Sequence, residues 1–126
     1  MLQIQTNIKI TDNSGAKKAQ CIKIYKKRTA SIGDLILVSI KKIKKKATSK
    51  SKISIKPGNL FKSVIVRTVY KKKDCLNQYL RFNENSGVLL NVQTNQPLST
   101  RILGPVPYYL RYIRQCKIVS LSAKFI

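Results

Sequence analysis

The chain has no histidine and no tryptophan, and its 126 residues include only four carboxylates, Asp12, Asp34, Asp74 and Glu84. Without histidine, the commonest general base and the usual partner of a serine or cysteine nucleophile are both missing. The four carboxylates could supply an acid/base pair such as Asp12 with Glu84. Each, however, reads more simply as a turn or solvent-facing residue, since Asp in a turn bonds its own backbone. Neither G-x-x-x-x-G-K-[ST] nor G-x-G-x-x-G occurs, so no nucleotide cradle is indicated. No enzymatic activity and no cofactor are expected. Cys21, Cys75 and Cys116 are odd in number, widely spaced and without a C-x-x-C pair. With no histidine to join them they make no zinc ligand set, and no metal is expected; they read as reduced thiols in a reducing compartment.

Long apolar runs are also missing. The longest uninterrupted one, residues 35–38, is far short of a membrane span. The opening MLQIQTNIKI has neither the charged-then-apolar layout of a secretory signal nor the Arg/Ser-rich character of a transit peptide. A protein of this kind working in an organelle is therefore expected to be made there.

What is abundant is positive charge. Lysine and arginine number 26, which leaves a formal charge of +22 at neutral pH on a chain that is 43% hydrophobic. That hydrophobic share is ordinary for a globular chain and suits one domain, 1–126, with a modest core. The charge opposes compaction unless a polyanion neutralises it, and nucleic acid is the expected one. An anionic membrane surface is the competitor, but the lysines sit among Thr, Ser and Ile without the helical spacing that a membrane-surface helix needs.

The densest positive stretch is 41–56, KKIKKKATSKSKISIK, held between apolar segments at 35–38 and 60–66. Such an arm suits gripping phosphates; the plainer reading is a solvated loop. Further clusters stand at Lys17-Lys18, Lys26-Lys27-Arg28 and Lys71-Lys72-Lys73, each beside turn formers. Arg67, Arg81, Arg101, Arg111 and Arg114 are more spread out and neighbour apolar or aromatic residues. Arginine forks phosphates and stacks on bases, so these are candidates for positioned contacts and the lysines for bulk attraction. Tyr108, Tyr109 and Tyr112 suit either base stacking or packing of a terminal helix onto the core.

Patterning points to strands. Residues 2–10 alternate, with Leu2, Ile4, Ile8 and Ile10 on one side and polar residues on the other, which predicts a strand with one buried face. Asp12-Asn13-Ser14-Gly15 turns the chain into a second strand near 19–25. Residues 35–40 predict a strand with neighbours on both faces. Pro57-Gly58-Asn59 makes a turn, and 63–70 is β-branched and strand-like. Lys71-Lys72-Lys73-Asp74 reads as a turn before extended structure at 79–82, another turn at 83–87 and a strand at 88–92. Gly104-Pro105-Val106-Pro107 reads as a rigid break, 108–115 as one or two helical turns, and 117–121 as a returning strand. Short strands with closely spaced turns mean a small barrel or sandwich.

In order along the chain, these turns and strands resemble large-subunit ribosomal protein L-fourteen. The matching pieces are Asp12-Asn13-Ser14-Gly15-Ala16-Lys17, Gly33-Asp34, Lys56-Pro57-Gly58 and Val64-Ile65-Val66-Arg67-Thr68. They continue with Arg81-Phe82 and Asn85, Val88-Leu89-Leu90-Asn91, Thr100-Arg101-Ile102 with Gly104-Pro105-Val106, Leu110-Arg111, and Lys117-Ile118 with Ser120-Leu121. The resemblance spans essentially the whole chain. It implies a mainly β protein: a small five-stranded β-barrel with an extended basic β-ribbon or loop and a short C-terminal helical section. It also implies a structural constituent of the large ribosomal subunit that binds large-subunit rRNA and contributes to an intersubunit bridge with small-subunit rRNA. Neighbouring proteins of the L-three and L-nineteen type and a ribosome-silencing factor are the partners that it implies.

The expected RNA-binding set is Asn13, Ser14, Lys17, Lys18, Lys26, Lys27, Arg28, Lys41, Lys42, Lys44, Lys45, Lys46, Lys50, Lys52, Arg67 and Arg81. The expected subunit-interface set is Thr100, Arg101, Arg111 and Arg114. The chain departs from the family pattern at Asn59 and at Tyr109, where acidic residues are usual, and its arm at 41–56 is longer. Heavy use of Lys, Ile and Asn, with no transit peptide, points to an organelle-encoded mitochondrial protein; a plastid or an A/T-rich bacterium would give a similar composition. The alternative function is a free-standing oligonucleotide-binding-type barrel for RNA or DNA outside the ribosome.

Overall fold

The computed structural model describes residues 1–25, 27–44, 55–73, 77–113 and 115–126. Five strands close into a barrel: β1 (Asn7–Ile10), β2 (Ala16–Ile24), β3 (Leu35–Ile43), β4 (Leu60–Arg67) and β7 (Ser86–Leu90). Consecutive members pair antiparallel, and the barrel is closed by a parallel pairing of β1 with β7, Lys9 opposite Ser86 and Ile10 opposite Gly87. Between β4 and β7 a two-residue ribbon pairs β5 (Lys72–Lys73) with β6 (Tyr79–Leu80). The tail runs through β8 (Ile102–Val106), a 3-10 turn at Tyr108–Arg111, the short helix α1 (Cys116–Ser120) and β9 (Ser122–Phe125), which pairs parallel with β8.

Two apolar clusters explain this arrangement. One fills the barrel: Ile8 and Ile10 from β1, Ala16, Ala19 and Cys21 from β2, Ile36, Val38 and Ile40 from β3, and Phe61, Ile65 and Leu89 from β4 and β7. Small residues on β2 leave room for the branched side chains opposite, as a narrow barrel requires. The second cluster lies outside the wall. There Val64, Val66, Val88 and Leu90 meet Ile32, Phe82, Ile102, Val106, Leu110 and Ile118. So β7 is buried at every position and β4 at its last five, while β1 and β2 keep one face in solvent. The tail is thereby a second layer laid on one side of the barrel.

Gly87 marks the tightest contact between strands. A Cβ there would fall 2.6 Å from Ser63 Oγ and 3.1 Å from the Val64 carbonyl oxygen, so only glycine lets β4 and β7 approach this closely.

Several elements differ from the sequence expectation. The alternation over 2–10 does not make one strand: β1 begins at Asn7, Gln5 adopts a left-handed backbone (φ 69°), and Ile4 is 56% exposed. Leu2 is instead buried beside Ala30, with which it exchanges backbone hydrogen bonds of 2.7 and 2.8 Å. The strands at 63–70 and 88–92 are each shifted toward the N-terminus, to β4 and β7, leaving Val69 and Val92 exposed in turns. Leu35 and Leu37 of β3 are half-buried rather than enclosed on both faces. Lys72 and Lys73 pair with β6 rather than turning.

The tail departs furthest. Residues 102–106 form β8 despite Gly104 and Pro105, because Pro105 sits at an irregularity in a two-stranded pairing, where a missing N–H is tolerated. Residues 117–121, expected as a strand, lie in and just after α1, and the strand follows at Ser122–Phe125. Burial of Ile118 in the outer cluster overrides the β preference of the Ile-Val pair.

The two isoleucines of the opening segment test this layout. Ile8→Ala removes a core side chain and is expected to lower unfolding stability by about 2–5 kcal/mol. Ile4→Ala should change it by less than about 0.5 kcal/mol. Equal losses in urea titration would restore the single strand over 2–10.

Candidate nucleic-acid interface

The most concentrated positive surface arises from a defect in the β2–β3 ladder. Lys18 is the register partner of both Lys9 on β1 and Lys42 on β3, so the three form a row across adjacent strands. Irregularities on either side of Lys18 leave Lys17 and Lys41 without a register partner. In a regular strand consecutive side chains face opposite ways; a bulge re-aims one of them. That is why Lys17 and Lys18, and likewise Lys41 and Lys42, are all exposed. The Lys44 N–H donates to the Gly15 carbonyl at 2.8 Å, which brings a further exposed lysine to the same end of the barrel.

Like charges facing each other across strands cost on the order of 0.5–1 kcal/mol per pair at low salt. Little offsets this here. Glu84 bonds Lys9 at 2.8 Å, and Asp34 lies 3.6 Å from Lys27. Among the described residues no carboxylate lies within ion-pair distance of Lys17, Lys18, Lys41, Lys42 or Lys44. The carboxylate nearest in the chain, Asp12, is fully buried. It accepts the Leu89 N–H at 3.0 Å and both the N–H and the hydroxyl of Ser14, pinning the Asp12–Gly15 turn to β7. Burial pushes its carboxyl above the ordinary value, with these hydrogen bonds and Lys44 opposing the shift.

The same turn joins the two expected site groups. Asn13 donates from Nδ2 to Thr100 Oγ1 at 3.2 Å, and its Oδ1 accepts the Arg101 N–H at 3.4 Å. Asn13, Thr100 and Arg101 are exposed, so residues 13 and 100–101 form one corner that borders the lysine cluster. Arg111 lies apart, at the tail, where its Nη1 donates to the Tyr108 hydroxyl at 2.6 Å. Tyr108 packs edge-on against Tyr112 and beside Phe125, with ring centroids 6.0 and 5.7 Å apart. Tyr109 lies under Lys72 Nζ, 4.1 Å from the ring centre, so all three tail tyrosines have a ring contact within the protein, and Tyr112, at 74% exposure, is the most open of them. Lys27 and Arg28 are exposed on the β2–β3 loop, and Arg81 is exposed beside Phe82.

Two expected contacts do not reach the surface. Ser14 is 7% exposed and bonded to Asp12. Arg67 is 5% exposed, and its guanidinium is used up internally: Nε donates to Ser86 Oγ at 2.7 Å, Nη1 to the carbonyls of Leu103 and Pro105, and Nη2 to Leu103 and, at 3.4 Å, toward Glu84. Burial lowers its pKa from the ordinary arginine value and Glu84 opposes this, but arginine stays charged. It is a clamp between the barrel and β8, not a phosphate ligand. Lys26, Lys45, Lys46, Lys50, Lys52 and Arg114 lie outside the described residues. Lys9 was missed as a member of the row; its polar slot in the alternating β1 was the available signal.

Gly104 confirms the clamp from the other side. Its φ is +85°, and any Cβ would collide with Arg67 Nη1. Arg67→Ala leaves two carbonyls and a hydroxyl without their donor and is expected to cost about 3–5 kcal/mol of stability. Gly104→Ala should destabilise by at least about 1 kcal/mol. Where Arg67→Ala remains folded, the salt dependence of its RNA binding should match that of the wild type; a flatter dependence would return Arg67 to the phosphate contacts. Compared with known families, the chain matches the model for ribosomal protein L14p/L23e over residues 1–126, its full length.

Proposed function

The chain belongs to the ribosomal protein L14p/L23e family, whose members are structural, non-enzymatic proteins of the large ribosomal subunit, and from that premise we propose that it binds large-subunit rRNA through the lysine cluster of β2 and β3. The single observation that carries this is the double irregularity at Lys17-Lys18 and Lys41-Lys42. It turns consecutive lysines outward against one another with no carboxylate of the described residues in ion-pair distance, an arrangement that becomes favourable when phosphates insert between them. Lys44 extends the cluster toward the basic arm, and Lys27, Arg28 and Arg81 supply outlying contacts.

In this reading the corner of Asn13, Thr100 and Arg101 faces small-subunit rRNA at an intersubunit bridge, with Arg111 at its tail side. The family resemblance supports proteins of the L-three and L-nineteen type as neighbours and a ribosome-silencing factor as a regulator docking at that corner and tail. The Lys, Ile and Asn bias supports a mitochondrial ribosome; recovery with cytosolic or plastid ribosomes on cell fractionation would overturn that placement.

Two measurements test the core of the proposal. The protein should co-sediment with the large subunit on sucrose gradients in high salt; complete release would favour a barrel acting outside the ribosome. Binding of the protein to a large-subunit rRNA transcript should weaken by several decades between low and moderate salt if about 6–10 phosphates are neutralised. Replacing Lys18 and Lys42 with Gln should lower the log–log salt slope by about two. An unchanged slope would show that the cluster is merely solvated.

A further inference from the structure

A cavity of about 350 Å³ opens on the side of the barrel away from the lysine row, where the β2–β3 loop, the turn after β7 and the tail converge. Its walls are apolar: Ile24, Leu35, Leu90 and Ile113. Tyr25 stands at the edge, 41% exposed, with Lys23 Nζ 5.8 Å from its ring centre. Polar groups converge on the same space. The Gln115 side-chain amide, which can both donate and accept, lines the same space and has no bond to another described residue. The oxygen of the Asn95 side-chain amide accepts Lys62 Nζ at 3.0 Å, leaving its NH2 to donate. Asp34 has one oxygen engaged by the Ser31 N–H and hydroxyl, and the other only 3.6 Å from Lys27 Nζ.

We propose that this cavity takes one unstacked nucleobase of the bound rRNA, stacked on Tyr25, with the adjoining phosphates held by Lys23, Lys27 and Arg28. The inference rests on the rRNA-binding reading above and adds a second, base-recognising contact to its phosphate contacts. Single-stranded RNA is read by splaying a base onto an aromatic ring and bonding its edge, and this site has a ring, apolar walls and edge-directed donors and acceptors together. The rim decides between occupants. Lys23, Lys27 and Arg28 are exposed and, among the described residues, only Lys27 has a carboxylate within ion-pair distance, so a cationic side chain from a protein would be repelled. A nucleotide brings a flat apolar face and an anionic backbone at once.

Tyr25 is half in solvent at the end of β2, so its replacement is compatible with folding, which a thermal melt verifies. With a large-subunit rRNA transcript as the probe, Tyr25→Leu and Gln115→Ala should each weaken binding, the former by about tenfold or more. The salt slope should be unchanged, because no phosphate contact is removed, and Tyr25→Phe should bind like the wild type. Base-specific chemical probing should show at least one nucleotide that the wild type protects and Tyr25→Leu leaves reactive. Wild-type affinity and protections in Tyr25→Leu would overturn the pocket assignment alone, whereas absence of transcript binding by the wild type would overturn the rRNA reading with it. Normal transcript binding by Tyr25→Leu combined with failure to enter large subunits would assign the cavity to a neighbouring protein and reject the nucleobase.

Discussion

The guanidinium of Arg67 is the junction on which the other parts converge. It sits where β4 leaves the barrel and gives directed hydrogen bonds to Ser86 on β7 and to two carbonyls of β8. Those carbonyls flank Gly104, in the part of β8 where its register with β9 is irregular. Lysine could not replace it, because a single ammonium lacks the planar fork that reaches a hydroxyl on β7 and two carbonyls on β8 at once. Through Glu84, which lies 3.4 Å from Arg67 and 2.8 Å from Lys9, the same junction touches the surface row of lysines. Barrel closure, attachment of the tail and the outward charge are thus adjacent in space.

Charge is the second constraint. With 26 basic and four acidic residues, the protein cannot balance its surface, and the three described carboxylates are placed where they matter for structure. Asp12 anchors a turn, Asp34 closes the β2–β3 loop through Ser31, and Glu84 holds Lys9 and Arg67. Among the described residues, no carboxylate lies within ion-pair distance of Lys17, Lys18, Lys41 or Lys42. Self-repulsion there opposes the free fold and is relieved by a polyanion, so the folded protein and its complex with RNA are linked by mass action.

Much of this was legible because turn chemistry and alternation act locally. The Asp12-Asn13-Ser14-Gly15 turn and the strands β2, β3, β4 and β7 follow from residues whose neighbours in sequence are their neighbours in space. Patterning left barrel and sandwich open, and the closed five-stranded barrel was implied by the family resemblance, because closure pairs β1 with the distant β7. The tail was not legible for the opposite reason. Whether Ile118 is in a helix or a strand depends on the outer faces of β4 and β7, fifty or thirty residues upstream in rough terms, and no local pattern encodes them. Arg67 misled in the same way: its sequence surroundings, Val66 and Thr68, are those of any strand end, and only the approach of Leu103 and Pro105 identifies it as internal. The consecutive lysines at 17–18 and 41–42 were visible as charge, but not as partners, since a bulge in a ladder is a property of two strands at once.

The parallel closure of β1 on β7 also orders events in time. Asp12 and the Leu89 N–H that it binds stand 77 positions apart, and β1 cannot complete its pairing until β7 exists. During synthesis the first strands therefore wait, with β2, β3 and β4 able to form an open sheet whose edge at β1 stays unpaired. Non-local pairings of this sort make for slow folding, and an open basic sheet is vulnerable to wrong partners. The charge that later serves RNA also keeps such half-made sheets apart from one another: Lys9 on the β1 edge and Lys62 on the β4 edge discourage pairing between copies while the barrel is incomplete.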